Sequence, residues 1–160
     1  MVDLPGNGLL QFHMVVIAHN IRSLHNVGAI FRSADCFGVE CLYLTGFTAT
    51  PPRSDIAKVS LGAEDRVGWE FRDDVLALIG ELKADGYRVV ALENGVNAKP
   101  IGPTLGKVAL VLGNEVEGID AGTLAACDAA VEIPMPGRKR SLNVSVAAGI
   151  AMFALSSKMD

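Results

Sequence analysis

Paired cysteines, metal-ligand spacing, a long apolar run and an excess of positive charge are all missing from this 160-residue chain. Each absence removes a class of protein. Cys36, Cys41 and Cys127 form no even framework and have no zinc-site spacing, so reduced, buried thiols are expected. His13, His19 and His25 all fall early and give no H-x-x-x-H pair, so no metal is expected. No apolar stretch reaches the ~18 residues that cross a bilayer. No basic segment followed by an apolar core opens the chain, so neither a membrane span nor a secretory signal is expected, and the chain reads as cytoplasmic. The net charge of −4 excludes a surface coated in basic residues for nucleic acid. It leaves room for a local basic patch, and Arg138-Lys139-Arg140 is the one triple cation.

Half of the chain is hydrophobic, which suits a single folded domain of this length. Residues 1–12, with Gly6, Asn7 and Gly8, read as a loose arm. Residues 13–160 read as one domain without linker, repeat or low-complexity segment. His13 to His19 is short, apolar and β-branched, hence a buried strand. Val27 to Phe37 has helical spacing, with Asn26 suited to the N-cap and Gly38 to the C′ position. Cys41 to Thr45 is a second strand, and Ser54 to Leu61 a short helix ended by Gly62. Asp73 to Asp85 is an amphipathic helix with the stripe Val75, Leu78, Ile79 and Leu82. Arg88 to Leu92, Val108 to Leu112 and Ala129 to Ile133 are further strands, with a weak helix at Ala121 to Ala126. The last helix, Asn143 to Lys158, is apolar nearly all round, which suits burial on more than one side, including a subunit interface. Alternating strands and helices predict an α/β fold: a mostly parallel sheet flanked by helices.

Ligands in such sheets bind beyond the carboxyl ends of strands. Two turns there carry chemistry. Gly113-Asn114-Glu115-Val116-Glu117-Gly118 follows the most buried strand; it is a plain polar turn or a site with close backbone approach. It is not the dinucleotide or phosphate-loop pattern. Ile133 to Asn143 combines Pro134, Pro136 and Gly137 with the cations. Ser141 or Asn143 caps the last helix, or lines a site. Arg32 falls inside an otherwise apolar helix, so partial burial is expected. It pairs with Asp35, or its guanidinium binds phosphate or carboxylate.

Taken together, three stretches resemble one family. "NIRSLHNVGAIFRSADCFGVECLYLTG", "LVLGNEVEGI" and "IPMPGRKRSLNVSVAAGIAMF" look like motifs one, two and three of the SpoU/TrmH-type RNA ribose 2′-O-methyltransferases of the SPOUT superfamily. "TPPRSDIAKVSLGAEDRVGWE" resembles the segment after motif one. The likeness covers nearly everything beyond the arm, with order and spacing kept.

The resemblance implies a C-terminal deep trefoil knot, an exception to the general avoidance of knots. It implies S-adenosylmethionine as methyl donor, held by Leu92, Glu93, Gly113, Asn114, Ile133, Met135, Ser141 and Leu142, with no metal. It implies a homodimer in which Arg32 faces the partner's cofactor. The catalytic set it implies is Asn26, Arg32, Glu115, Ser141 and Asn143, with Arg22, Arg32, Arg138 and Arg140 touching RNA phosphates. The reaction would be attack of a ribose 2′-hydroxyl of tRNA or rRNA on the donor methyl. Small size suggests tRNA, while the wording of motif one is closer to the TrmH/ribosomal branch. Two other classes stand beside it: a knotted module that binds donor or RNA without catalysis, and a nucleotide-dependent oxidoreductase, which the missing dinucleotide fingerprint disfavours.

Overall fold

The apolar run His13–His19 forms β1, near the middle of a seven-stranded, wholly parallel sheet ordered β3-β2-β1-β6-β4-β7-β5. The computed structural model describes residues 12–95 and 97–157. Most of the expected arm and Lys158 lie outside them; Phe12, assigned to the arm, packs on the core.

The elements in chain order are β1, α1 (Leu24–Cys36), β2 (Cys41–Thr45), α2 (Ser54–Ser60), α3 (Ala63–Arg66), β3 (Trp69–Arg72), α4 (Val75–Ala84), β4 (Arg88–Leu92), β5 (Lys99–Pro100), β6 (Lys107–Leu112), α5 (Ala121–Ala126), β7 (Ala129–Glu132) and α6 (Val144–Ser156). Successive side chains of a strand point to opposite faces. Met14, Val16 and Ala18 therefore join the core under α1, α2 and α6. Val15 and Ile17 join the core under α4 and α5. Both faces are covered, which is why β1 and β6 are apolar without alternation.

Four local expectations change. The N-cap of α1 is Ser23, whose Oγ accepts from Asn26 N at 3.2 Å. Asn26 lies inside the first turn and is buried. Arg32 is exposed, because it lies off the buried Val27-Ile30-Phe31-Ala34 stripe. Asp35 pairs instead with Arg66, at 2.8 Å. The thiols are free but not buried: Cys36 is exposed where α1 ends, and Cys41 and Cys127 are half-buried. The short elements α3, β3 and β5 were not anticipated.

One side of α6 packs inward through Ala148, Ala151, Met152 and Leu155. Val146, Ile150 and Phe153 on the helix are exposed in this single chain, and the Phe153 ring lies 6.1 Å from that of Phe37, the C-cap of α1. No helix among the described residues is long and apolar enough to cross a membrane.

Candidate active site

Parallel strands send all their carboxyl ends to one edge of the sheet. The loops after β4, β6 and β7 meet there around a cleft of about 430 Å³, within the usual size of small-molecule sites. Leu92, Glu93, Gly113, Asn114, Ile133, Met135, Ser141 and Leu142 all line it, joined by Glu115, Arg140 and Asn143.

The loop after β6 is held from several sides. Asn114 and Gly118 exchange backbone bonds of 3.1 and 2.9 Å. Asn114 Oδ1 accepts from Val116 N and Glu117 N at 2.9 and 3.0 Å. Gly113 is needed where the turn closes: a Cβ there would lie 2.6 Å from the Gly118 carbonyl carbon. Glu93 braces the far end, its Oε2 accepting from Ile119 N at 2.7 Å.

Glu115 ties this loop to the start of α1. Its Oε1 accepts from Arg22 N at 2.9 Å, Ser23 N at 3.2 Å and Asn26 Nδ2 at 3.3 Å, and its Oε2 from Arg22 N at 3.0 Å. A carboxylate at a helix N-terminus also meets the positive end of the helix dipole. Partial burial pushes the Glu115 pKa up, but the bonds from Arg22, Ser23 and Asn26 outweigh it and the net shift is downward. The group stays ionised at neutral pH.

The loop after β7 is held more lightly. Arg140 donates through one guanidinium nitrogen to the carbonyls of Met135 and of Gly137, the latter at 3.0 Å. Asn94 Nδ2 donates to the Arg140 carbonyl at 3.1 Å. Asn143 caps α6, its Oδ1 accepting from Ser145 N at 2.9 Å. Ser141, Leu142 and Asn143 are exposed along the cleft wall.

The structure thus brings Glu115, Ser141 and Asn143 to one cleft, with Asn26 directly behind Glu115. Arg32 stands apart on the exposed side of α1, and Arg22 and Arg138 are exposed outside the cleft lining. Sequence reading missed Asn20, whose carbonyl accepts from Asn114 Nδ2 at 2.9 Å. An asparagine directly after a strand was the available signal, since it tolerates the left-handed conformation that Asn20 adopts at φ 56°.

Residues 13–153 match the SpoU rRNA Methylase family model. The chain belongs to this family. It is 34% identical over 141 residues to the 23S rRNA (guanosine-2′-O-)-methyltransferase RlmB of Xanthomonas axonopodis pv. citri, covering 88% of this chain and 57% of that relative. It is 34% identical to the tRNA (guanosine(18)-2′-O)-methyltransferase of Aquifex aeolicus, covering 89% and 68% respectively. The fold superposes on the A. aeolicus TrmH/SpoU tRNA modifying enzyme with a TM-score of 0.80 at 30% identity, over 92% of this chain and 76% of the other. It superposes on the AdoMet-bound rRNA methyltransferase of Sinorhizobium meliloti with a TM-score of 0.78 at 26% identity, over 89% and 55%. The SpoU-family chain therefore spans little more than half the length of its ribosomal relatives.

Proposed function

We propose that this SpoU-family chain is an S-adenosylmethionine-dependent RNA methyltransferase acting on a ribose 2′-hydroxyl of tRNA or rRNA. The observation that carries the reading is the cleft itself: the loops of motifs two and three form it, and Glu115 of motif two clamps the start of the motif-one helix beside it. Relatives named as rRNA and tRNA 2′-O-methyltransferases support the substrate class.

The cleft residues fit the donor. Leu92, Leu112, Ile133, Met135 and Leu142 offer apolar walls for a purine. At Gly113 the backbone packs too closely for a Cβ, so main-chain groups form that part of the wall and can serve the polar edges of the ligand. When bound, the donor supplies a methyl group on a positively charged sulfur. The protein's task is to align the weakly nucleophilic hydroxyl and manage its proton. Guanidinium normally stays charged, so Arg32 binds the neighbouring phosphate and stabilises the developing alkoxide. Glu115 and Asn26 hold the motif-one helix in place. Ser141 and Asn143 position the ribose and the loop, while Arg22, Arg138 and Arg140 meet phosphates.

Arg32 sits outside the lining of its own cleft, and this favours a homodimer in which it serves the partner's cleft. Val146, Ile150 and Phe153, spaced i, i+4 and i+7 on α6, offer the apolar face for that contact. The chain crosses from β7, beyond β4, back to α6 against α1, and this return supports the trefoil-knot reading. Such an enzyme works in the cytoplasm, where its RNA is.

Transfer of labelled methyl from S-adenosylmethionine into total RNA, with mapping of the modified nucleotide, tests activity and substrate together. Donor binding by calorimetry without transfer would favour the silent binding module; no binding at millimolar donor would sink the enzyme reading. Arg32→Ala should abolish transfer with donor affinity nearly unchanged. Mixing it with inactive Asn143→Ala should restore activity if the arginine acts across a dimer.

A further inference from the structure

His19 closes β1 on the α4 and α5 side of the sheet and is largely buried, with 12% of its side chain exposed. Motif matching gives it no role. Its ring nevertheless makes two hydrogen bonds and faces a third polar group. Nδ1 lies 2.8 Å from Thr45 Oγ1 at the end of β2. Nε2 lies 3.3 Å from Asn20 Nδ2. Nε2 is also 3.7 Å from Asp120 Oδ1 at the N-cap of α5.

The chemistry of the partners sets the proton. Asn20 Oδ1 accepts from Phe47 N at 3.0 Å, so the side-chain nitrogen of Asn20 is the atom that faces His19. That nitrogen only donates, so Nε2 must accept and Nδ1 must carry the hydrogen. Nδ1–H then donates to Thr45 Oγ1, which in turn faces the Ala18 carbonyl at 3.5 Å. Every donor in this chain has an acceptor only if the ring is neutral.

Asn20 is held at φ 56°, and Gly46 packs so closely on it that a Cβ there would lie 1.9 Å from Asn20 Oδ1. The carbonyl of Asn20 takes the Asn114 Nδ2 bond, and Asn114 precedes Glu115, which returns to Arg22 and Ser23. His19, Asn20, Asn114, Glu115 and Arg22 therefore link motif one to motif two at two points.

We propose that His19 is a positioning residue for methyl transfer: as a neutral acceptor it fixes the Asn20 turn, and through it the Asn114–Glu115 loop. The proposal rests on the methyltransferase reading for its kinetic consequence, but not for its structural one. Protonating Nε2 removes the acceptor that Asn20 needs and creates a donor aimed at Asp120. Among the described residues Asp120 is the charged group facing the ring; Thr45, Asn20 and Gly46 are neutral. Burial pushes the imidazole below its ordinary 6.5, against the opposing pull of Asp120. The neutral form is thus the resting one at neutral pH, and the link fails on the acid side.

The test has a structural arm and a kinetic arm. In an NMR titration of the whole chain, the His19 ring and the Asn20 side-chain amide should share one midpoint below 6.5. An Asn20 amide that ignores the His19 titration overturns the proposal, whether or not RNA is methylated. In His19→Gln an uncharged amide oxygen replaces Nε2; the Asn114 amide signal should stay in place and the acid loss of kcat should vanish. In His19→Leu the Asn114 signal should move, and kcat should fall about tenfold, with KM for RNA changing less than about twofold, as expected of a small misalignment. A Leu variant with wild-type kcat, or a Gln variant that keeps the acid loss, overturns it. If the wild type methylates no RNA, the methyltransferase reading fails alone, and the Asn20 and Asn114 signals still decide the link.

Discussion

The two walls of the cleft are built by different means. The loop after β6 is bonded from within by Asn114, from the end of β4 by Glu93, the residue just after the strand, and across to the start of α1 by Glu115. The loop after β7 is held mainly by its own Arg140, curled onto the carbonyls of Met135 and Gly137. One wall is fixed mainly by partners distant in sequence, the other by the short-range curl of Arg140 and one longer bond, from Asn94 to the Arg140 carbonyl. Regions with few long-range bonds open at low cost and commonly provide the moving part of a binding site. A preformed wall facing an adjustable one suits the proposed reaction, in which a donor enters first and a bulky polymer is then aligned.

One methyl group added to each wall should separate the two most strongly. Gly113→Ala places a Cβ 2.6 Å from both the Gly118 carbonyl carbon and Ile119 Cγ1. Backbone cannot yield as a side-chain tip can, so a loss of about 2–3 kcal/mol is expected in denaturant unfolding. Donor binding should fall with it. Gly137→Ala, in the opposite wall, meets nothing within 4 Å, and should stay within about 0.5 kcal/mol of wild type. Equal effects at the two positions would end the distinction.

Glu115→Gln comes next. The shape survives, but a charged acceptor of four bonds becomes a neutral one, with an amide facing other donors. Bonds to a charged group contribute about 1.5–3 kcal/mol when buried; the side chain is partly solvated, so about 1 kcal/mol is expected here. The sign with pH follows from the lowered carboxyl pKa. The stabilisation is fully present above the unfolded value near 4.5 and is lost as pH falls through the lower folded value. Wild-type and variant stabilities should therefore converge in acid; a gap that persists there means that packing, not charge, holds the loop.

The same contrast explains what could be read from the sequence. β1, β2, β4 and α5 have the predicted boundaries, because short apolar runs and a capped small-residue segment carry local signals. α3, β3 and β5 have four residues or fewer, and β3 exposes Trp69 and Phe71 at the sheet edge, so no buried pattern marks it. Spacing alone leaves the two turns open; the lining residues come with the family resemblance of the three motifs, and the structure gathers them around one cleft. Asn26 was misread as a cap, since Ser23 also fits locally and the true partner of Asn26 lies 89 residues away. Arg32 was misread as partly buried because apolar neighbours on a helix need not share its face.

Arg140→Ala carries the smallest expected effect and bears most directly on the adjustable wall. Its guanidinium satisfies loop carbonyls that water reaches easily, so stability should change by less than about 0.5 kcal/mol. The consequence should be kinetic. Without the curl on Met135 and Gly137, the loop samples more conformations around the cleft it lines. S-adenosylmethionine should then dissociate faster, by about two- to fivefold in stopped-flow displacement, with little change in association. RNA should reverse the ranking of the two walls: once phosphates compete for Arg140, the wild-type loop is released too, and the difference in donor release should shrink. A variant that releases donor at the wild-type rate would show that this wall is held by its proline-restricted backbone and not by its arginine.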